Sequence, residues 1–296
     1  HSDLRRQRQM CIRDRSSNLA SQNEAITFLN SLKNKGFKVI RVTKKPGKRT
    51  PSAPFITSTL QQEASRVLGF SVSRTMSVAQ RLYESGHITY MRTDSVSLSK
   101  DAMSSAQQQI TRSFGSHYCN PRKYQNKNKS AQEAHEAIRP TNFGLSSLDN
   151  DSPEDKLYKL IWRKTIASQM SDAEIEKTTI EIGFEGISQN FLSTGEVIKF
   201  DGFLKVYNSS SGKEDQSILP NVNDGDLVNC VDVIATQKFS RPPARYTEAS
   251  LVKKLEDLGI GRPSTYAPTI KTVQERGYVE IKAVSYTHLR AHETEA

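Results

Sequence analysis

The sequence predicts an α+β fold built from two or three modules. Apolar residues recur at helical spacing through much of the first half of the chain, residues 178–234 alternate between apolar and polar side chains, and helical spacing returns after Pro243. The 296 residues are enough for one large domain or for two to three smaller ones with ample cores. No internal repeat emerges, so we expect helices and strands to follow one another in separate blocks.

The first half of the chain is expected to hold most of the helices. Phe37–Thr43 reads as a strand, and residues 44–54 read as a basic linker punctuated by prolines. Helices are predicted over Ser58–Leu68 and Ser73–Ser85, after the capping residue Ser99, and over Asp155–Met170, which carries the only tryptophan, Trp162. Gly86 is a suitable C-terminal cap. His87–Arg92 is predicted as a strand and residues 120–130 as a polar loop.

The second half begins with strands and ends with helices. Period-two alternation predicts strands over Thr178–Phe184, Phe191–Val206 and Leu227–Ile234, with a turn-rich stretch at residues 208–216. Leu251–Leu258 forms one apolar helical face, Gly259 and Gly261 interrupt it, and Ser264–Arg276 is predicted as a further helix.

Composition narrows the class of protein. The formal net charge of +10 fits a polyanionic partner, although charge alone is weak evidence for nucleic-acid binding. The three cysteines are far apart and form no CxxC pair, which argues against zinc and a disulfide framework and fits a reducing cytoplasm. No apolar run approaches the roughly 20 residues that a membrane-spanning helix needs.

The two ends of the chain differ from the rest. Residues 1–15 and 284–296 show neither helical nor strand spacing and resemble translated sequencing-adapter read-through, so we interpret both as non-native tails. His288 and His292 are therefore not taken as metal ligands. The chain does not begin with methionine, and we expect it to be an internal fragment.

Tyr90 and Arg92 form the most informative pair of residues. In an extended segment residues i and i+2 point to the same side, so the two side chains are expected to face one site. A phenol can attack phosphorus while a guanidinium fork binds the phosphate, and the positive charge favours the phenolate. On this spacing alone, an edge-strand tyrosine beside an exposed arginine is the simpler alternative.

Five stretches give that pair its context. In the order of the chain they are PFITSTLQQEAS (residues 54–65), HITYMRTDS (87–95), QEAHEAIRPT (132–141), FDGF (200–203) and PPARYTEASLVKKLEDLGIGRPSTYAPTI (242–270). Together they resemble the type IA DNA topoisomerases, in particular the bacterial topoisomerase I branch, over roughly residues 16–283. The wording YMRTDS and EAHEAIRPT favours this branch over the topoisomerase III branch.

The resemblance implies a domain organisation. Residues 50–175 would form the active-site tyrosine domain, and residues 16–49 and 176–243 would form part of a β-rich arch, the first with a linker. Residues 244–283 would belong to a helical domain that binds single-stranded DNA.

The resemblance also implies an activity. Relatives cut one strand through a 5′-phosphotyrosyl intermediate, pass the other strand and reseal, which relaxes negatively supercoiled DNA without ATP. The expected partner is a single-stranded segment of such DNA, and the expected form is a cytoplasmic monomer. The alternative, from another class, is a non-catalytic single-stranded DNA-binding module on the same scaffold.

A metal is implied as well. Family members bind Mg²⁺ through an N-terminal toprim domain with a DxDxE acid cluster, and this sequence has no such cluster; the DxD pair Asp224 and Asp226 lies in a predicted turn. We expect no metal ligands in this chain and no activity from it alone.

The resemblance assigns roles around the tyrosine. Tyr90 would be the nucleophile and Arg92 would bind the scissile phosphate. Thr93 and Asp94 would contact DNA or simply hold a turn, Asp94 by pairing with Arg92. His135 follows a capping box at Ser130 and Glu133 and would tune proton transfer or contact phosphate. Arg139 would contact DNA or form a structural ion pair.

The GIGRPST turn has a physical logic of its own. Glycines allow close approach of a ligand, and a helix that begins at Ser264 and Thr265 offers free N–H groups to a phosphate, with Arg262 adding charge. The resemblance places Arg262 and Thr265 in the strand-binding groove, with Arg276 nearby; an ordinary helix–turn–helix connection is the alternative. Aromatic side chains that stack on bases cannot be chosen among Phe55, Tyr83, Tyr246 and Tyr266.

Overall fold

The structure of the protein, a computed structural model, describes residues 21–33, 35–125, 135–148, 151–207, 219–237, 239, 242–282 and 285–288. The chain divides into a β-rich unit (residues 1–49, 173–201 and 210–240) and a helical unit (residues 50–172, 202–209 and 241–296). The predicted α+β class is confirmed. Residues 202–209 and 241–296 cluster with the helical unit, and the division into tyrosine domain, arch and DNA-binding domain stays a prediction.

The β-rich unit is an antiparallel sheet with one helix. Its elements are α1 (Gln22–Leu32), β1 (Phe37–Arg49), β2 (Ala173–Phe184), β3 (Ile187–Phe200) and β4 (Leu227–Val228), and the strand order is β3-β2-β1-β4. Val39, Ile180 and Ile182 form the centre of its core. The rings of Phe37 and Phe184 pack edge to face beside this centre, with centroids 4.8 Å apart.

Strand β1 is longer than predicted. It pairs with β2 as far as Arg49 opposite Ala173, so residues 44–49 are strand and the predicted linker is wrong there. Pro46 is tolerated because β1 pairs with β4 only at Phe37 and Lys38, which leaves the far edge at Pro46 without a ladder that needs its N–H. Strand β1 is longer than its own apolar periodicity indicates because pairing with β2 continues to Arg49.

Strand β4 is shorter than predicted. The expected strand over Leu227–Ile234 is limited to Leu227–Val228, and this prediction is wrong beyond those two residues. Val231 and Ile234 are 84% and 78% exposed and pair with no strand in the described part of the chain. Alternating apolar residues form a strand only where a neighbour completes the backbone hydrogen bonds.

Helices dominate the second unit. They are α2 (Thr57–Leu68), α3 (Val72–Glu84), α4 (Lys100–Phe114), α5 (Pro153–Ser168), α6 (Glu248–Asp257) and α7 (Tyr266–Glu275), with 3₁₀ turns at Ser116–Tyr118 and Gly202–Lys205. Serines 71, 99 and 152 cap α3, α4 and α5 with their hydroxyls. The predicted helices are confirmed to within about three residues at each end.

Buried side chains hold the helices together. Leu60, Leu82, Ile110 and Ile161 are each at most 1% exposed, and the indole N–H of Trp162 donates to the carbonyl of Phe143 at 2.9 Å. These contacts place α2 at the centre of the unit, next to α3, α5 and α6.

Helices α6 and α7 join this unit through a small core of their own. Val252, Tyr266 and Ile270 pack with Val72 at the start of α3. The carboxylate of Glu248 accepts a hydrogen bond from the backbone N–H of Val72 at 2.6 Å, which ties the start of α6 to α3.

The C-terminal segment contains an unexpected strand. Residues Ser285–His288 form β6 and pair with β5 (Val279–Lys282) as a hairpin, although the sequence of this segment, interpreted as a non-native tail, shows no strand spacing. The other predictions for residues 1–15, 126–130, 208–216 and 289–296, and the capping box at Ser130 and Glu133, lie outside the described residues. In the part of the chain that is described, no helix combines the length and apolarity needed to cross a membrane.

Gly202 is the glycine whose replacement we expect to cost most. Its φ is +49°, and a Cβ there would lie 2.3 Å from the carbonyl oxygen of Asp172. Gly202→Ala should therefore lower the free energy of unfolding by about 3 kcal/mol, measured by urea denaturation. Gly86→Ala is the control, because Gly86 also has a positive φ of +72° but open space around it. That change should cost about 1 kcal/mol, and equal losses from both variants would contradict the steric argument.

Candidate active site

Tyr90 lies in an irregular segment between α3 and α4, not in a strand. The predicted strand His87–Arg92 is wrong: the segment has a single bridge, between Ile88 and Pro140. Burial nevertheless alternates as the sequence suggested. Met91 is 1% exposed, whereas Tyr90 is 42% exposed and Arg92 is exposed too. The side chains of Tyr90 and Arg92 are therefore both open to a ligand from solvent.

Two threonine hydroxyls clamp this segment on either side of Tyr90. The hydroxyl of Thr89 donates to the carbonyl of Ala137 at 2.7 Å and accepts from the N–H of Arg139 at 3.0 Å. The hydroxyl of Thr57 lies 2.8 Å from the carbonyl oxygen of Met91 and accepts from the N–H of Thr93 at 2.9 Å. Sequence reasoning missed both clamps, because nothing in the spacing of these threonines marks them.

Thr93 belongs to the buried side of the segment. It is 2% exposed, its hydroxyl accepts from the N–H of Ser95 at 3.0 Å, and its carbonyl accepts from the N–H of Thr57 at 2.9 Å. These contacts are those of a turn residue, which favours the structural alternative for Thr93 over contact with DNA.

Residues 135–141 run beside the tyrosine segment. The N–H of Thr141 donates to the carbonyl of His87 at 3.0 Å, the N–H of Thr89 donates to Arg139 at 2.9 Å, and the N–H of Ala137 donates to Ser97 at 2.8 Å. Residues 135–141, the described part of the QEAHEAIRPT motif, are thus extended and supply the backbone hydrogen-bond partners that a sheet would otherwise provide.

Arg139 is engaged by a neighbouring carboxylate. Its Nε and Nη2 lie 3.2 and 2.7 Å from Oε2 of Glu136, and Oε1 of Glu136 accepts from the N–H of Ser99 at 2.6 Å. Burial acts to raise the pKa of Glu136, but the hydrogen bonds from Ser99 and Arg139 outweigh it and hold this pKa below its usual value. The geometry favours the structural ion pair over direct contact with DNA.

Arg92, Asp94 and His135 are differently placed. Within the described ranges, Arg92 and Asp94 form no ion pair with each other or with any other side chain, so the expected pairing of the two is not seen. His135 is exposed and makes no hydrogen bond to Tyr90 or Arg92 among the same residues. The guanidinium of Arg92 is consequently open to an anion.

Tyr83 is the aromatic neighbour of Tyr90. The two ring centroids are 5.3 Å apart with an interplanar angle of 66°, and Tyr83 is 41% exposed. Phe55 and Tyr266 are 1% and 7% exposed and belong to the core, whereas Tyr246 is exposed. Only the structure separates the aromatic residues that can meet a base from those that cannot.

The GIGRPST turn joins α6 to α7. Gly259 and Gly261 have φ values of +69° and +86°, a backbone conformation that residues with a Cβ rarely adopt. The hydroxyl of Thr265 accepts from the N–H of Arg262 at 2.7 Å, so it closes the turn. Helix α7 begins at Tyr266, not at the predicted Ser264, while Arg262, Ser264 and Thr265 are exposed.

Arg276 lies at the other end of α7. It is exposed and follows the last residue of this ten-residue helix, which spans about 15 Å. The structure therefore separates Arg276 from Arg262 and Thr265 by the length of a helix.

Contacts within the helical unit connect this turn to the tyrosine segment. The hydroxyl of Ser58, next to Thr57, donates to Glu256 near the end of α6 at 2.7 Å. Burial raises the pKa of the Tyr266 hydroxyl, and the negative charges of Glu256 and Asp94 add to this effect against Arg262. Asp94 thus lies within electrostatic reach of the start of α7.

The described residues do not form a metal site. Nowhere in the described ranges do three His, Cys, Asp or Glu side chains come close enough to hold a metal ion. Mg²⁺, which the family resemblance implies, does not fit any set of described side chains.

Comparison with known proteins gives consistent matches. A family model described as DNA topoisomerase matches residues 3–291, which includes most of both terminal segments that the sequence analysis interpreted as non-native tails. DNA topoisomerase 1 of Zymomonas mobilis is 47% identical over 277 residues, covering 89% of this chain and 22% of the relative. The same enzyme of Mycolicibacterium smegmatis is 51% identical over 263 residues, covering 82% of this chain and 28% of the relative.

A solved structure matches as well. The full-length topoisomerase I from Thermotoga maritima superimposes with a TM-score of 0.79 at 36% identity, covering 94% of this chain and 46% of that chain. The chain spans less than half the length of each of these relatives.

The ion pair of Glu136 and Arg139 should make stability depend on pH. Because the pKa of Glu136 is lower in the folded chain, its charge stabilises the fold above the unfolded value of about 4.3, and this contribution is lost as pH falls through the folded pKa. Glu136→Gln should lower the free energy of unfolding by about 1 kcal/mol at neutral pH and by much less at strongly acidic pH. Urea denaturation at both pH values tests this.

Arg139→Met breaks the same pair from its other side and should reduce the pH dependence in the same direction. A loss from Glu136→Gln that is equal at both pH values would show that the carboxylate charge contributes nothing.

Proposed function

Because this chain belongs to the type IA DNA topoisomerase family, we propose that it carries the tyrosine part of an enzyme that transiently cuts one DNA strand. The proposed reaction is cleavage, passage of the other strand and religation, which relaxes negatively supercoiled DNA without ATP. The observation that supports it best is the exposed pair Tyr90 and Arg92 on a segment whose backbone is clamped on both sides.

Tyr90 is the proposed nucleophile. Its hydroxyl oxygen attacks a backbone phosphorus of single-stranded DNA, a new O–P bond forms, and the bond to the 3′ oxygen breaks. The tyrosine proton is lost and the leaving oxygen gains one. The phosphotyrosyl bond keeps the energy of the broken linkage, so attack by the 3′ hydroxyl reverses the step and no ATP is consumed.

Arg92 is proposed to bind the scissile phosphate. A tyrosine hydroxyl has a pKa near 10, so ionising it at neutral pH costs about 4 kcal/mol. A guanidinium held beside the phosphate stabilises the charge that develops on its oxygens, and its planar fork also orients them. His135 is proposed to assist proton transfer or to contact the phosphate.

The bound single DNA strand is proposed to extend from the segment that carries Tyr90 and Arg92 towards the GIGRPST turn. Arg262, Ser264 and Thr265 present charge and polar groups there, and Asp94 lies within electrostatic reach of the start of α7. Arg139 and Arg276 are weaker candidates for DNA contacts, the first because of its ion pair and the second because of its distance. We further propose that the protein works as a monomer in the cytoplasm, where its DNA substrate is.

The remaining groups are proposed to come from outside this chain. Its relatives are longer, and no described residues form a metal site. We propose that Mg²⁺, where the reaction needs it, is held by residues of a further domain such as the toprim domain of the family.

The role of Tyr90 as nucleophile can be tested in this chain joined to a toprim domain. Tyr90→Phe should abolish covalent attachment of protein to the 5′ phosphate of a cleaved oligonucleotide, because only the attacking oxygen is lost. The affinity for uncleaved single-stranded DNA should stay within about twofold, since the ring still packs against Tyr83.

Trapping the covalent adduct with denaturant and analysing it by gel electrophoresis provides the measurement. Adduct formation by the phenylalanine variant at the wild-type level would remove Tyr90 from the mechanism. Absence of any adduct from the wild type, with binding retained, would favour the non-catalytic DNA-binding module.

A further prediction concerns the 296-residue chain without any added domain. It should bind a single-stranded oligonucleotide weakly and should not relax supercoiled DNA, with or without Mg²⁺. Because its net charge of +10 and its exposed arginines act on phosphates, affinity should fall steeply as salt rises. Fluorescence anisotropy over a salt series and a plasmid relaxation assay test the two parts. Relaxation by this chain alone would show that the described residues already complete the site.

A further inference from the structure

We infer that Thr57 is a positioning residue for Arg92, acting through the backbone on both sides of that arginine. The inference rests on the proposed function of Arg92 as the group that binds the scissile phosphate. Thr57 itself is 0% exposed and cannot touch DNA, so it acts only through the segment it holds.

The contacts of Thr57 bracket Arg92. Its hydroxyl lies 2.8 Å from the carbonyl oxygen of Met91 and accepts from the N–H of Thr93 at 2.9 Å, and its own N–H donates to the carbonyl of Thr93 at 2.9 Å. Both peptide groups that flank Arg92 are therefore fixed by one side chain and one backbone group of the same residue.

The position of Thr57 in α2 makes these contacts available. It is the first residue of the helix, where the backbone N–H has no partner inside the helix. That N–H donates to the carbonyl of Thr93, and the hydroxyl of Thr57 supplies both a hydrogen-bond donor and an acceptor. Valine has nearly the same shape but would leave buried peptide groups of an irregular segment without partners.

The direction of the Arg92 side chain depends on this support. In the part of the chain that is described, Arg92 has no ion pair and its side chain is exposed, so the backbone, which sets the position and direction of its Cα–Cβ bond, is the part of Arg92 that the protein holds in place. Two-point recognition of a phosphate requires correct placement to within about 0.5 Å. Releasing the peptide groups beside Arg92 should therefore weaken phosphate binding without removing any charge.

Affinity of the 296-residue chain for a single-stranded oligonucleotide at fixed low salt tests the inference, with Thr57→Val, Arg92→Ala and the double variant. Thr57→Val should weaken binding about fivefold, equivalent to about 1 kcal/mol. In the Arg92→Ala background the same change should have less than about a twofold effect, because its target is gone. Thr57→Ser, which keeps the hydroxyl, should bind like the wild type.

Thr165→Val is the matched control. Thr165 is also 0% exposed, but its hydroxyl donates only to the carbonyl of Ile161 within α5, at 2.9 Å. This variant should bind the oligonucleotide like the wild type, and thermal unfolding should show how much stability each substitution costs.

Several outcomes would overturn the inference. One is an equal loss from Thr57→Val with and without Arg92, which indicates a general effect on folding; another is unchanged binding by a folded Thr57→Val. If Thr57→Val does not fold, Thr57→Ser decides, and binding as weak as that of Arg92→Ala would refute the role of the hydroxyl. Unchanged binding by Arg92→Ala itself would instead remove the proposed role of Arg92, and this inference with it.

Discussion

The backbone of residues 87–99 has no sheet to complete its hydrogen bonds, and the helical unit is arranged around that constraint. Buried peptide groups without partners would each cost about 1–3 kcal/mol. Besides side chains of the segment itself, such as the hydroxyl of Thr93, the partners come from the start of α2, through Thr57, and from the extended residues 135–141, which pair with His87, Thr89 and Ser97. Because every support is a specific hydrogen bond, the segment can be irregular and still hold Tyr90 and Arg92 in place.

Helix α2 connects the two parts of the candidate site. Two consecutive residues in its first turn have different tasks: Thr57 holds the segment around Arg92, and Ser58 donates to Glu256 at the end of α6. The GIGRPST turn follows directly after α6. The two candidate phosphate-binding residues Arg92 and Arg262 are therefore both connected to the first turn of α2. This arrangement gives a physical reason for the PFITSTLQQEAS stretch to lie near the segment that carries Tyr90 and Arg92, although Thr57 and Ser58 are themselves buried.

Five arginines of the helical unit differ in whether a carboxylate engages them. Arg81, Arg122 and Arg139 are paired with carboxylates, at 2.5 Å from Glu154, 2.7 Å from Asp172 and 2.7 Å from Glu136. Arg92 and Arg262 form no ion pair with the described residues and lie at the two parts of the candidate site. Net charge alone predicted an interaction with a polyanion; the ion pairs show which guanidinium groups a carboxylate already engages and leave those of Arg92 and Arg262 open to phosphate.

The sequence by itself determined the α+β class, the helices of the helical unit, and Tyr90 and Arg92 as the pair of residues that face one site; it did not predict α1 of the β-rich unit. Serine caps and apolar spacing act within one or two helical turns, so α3, α4 and α5 were predictable from neighbouring residues. The outward direction of both Tyr90 and Arg92 followed from their i, i+2 spacing. The GIGRPST turn was visible in its glycines.

Only the tertiary structure decided which backbone groups meet. It extended β1 along β2, shortened β4, replaced the predicted strand at His87–Arg92 by a clamped segment, and engaged Arg139 with Glu136. Thr57 binds Met91 across 34 positions, and Ser58 binds Glu256 across 198. Periodicity reports a few neighbouring residues, whereas a hydrogen bond needs a partner that folding brings from far along the chain.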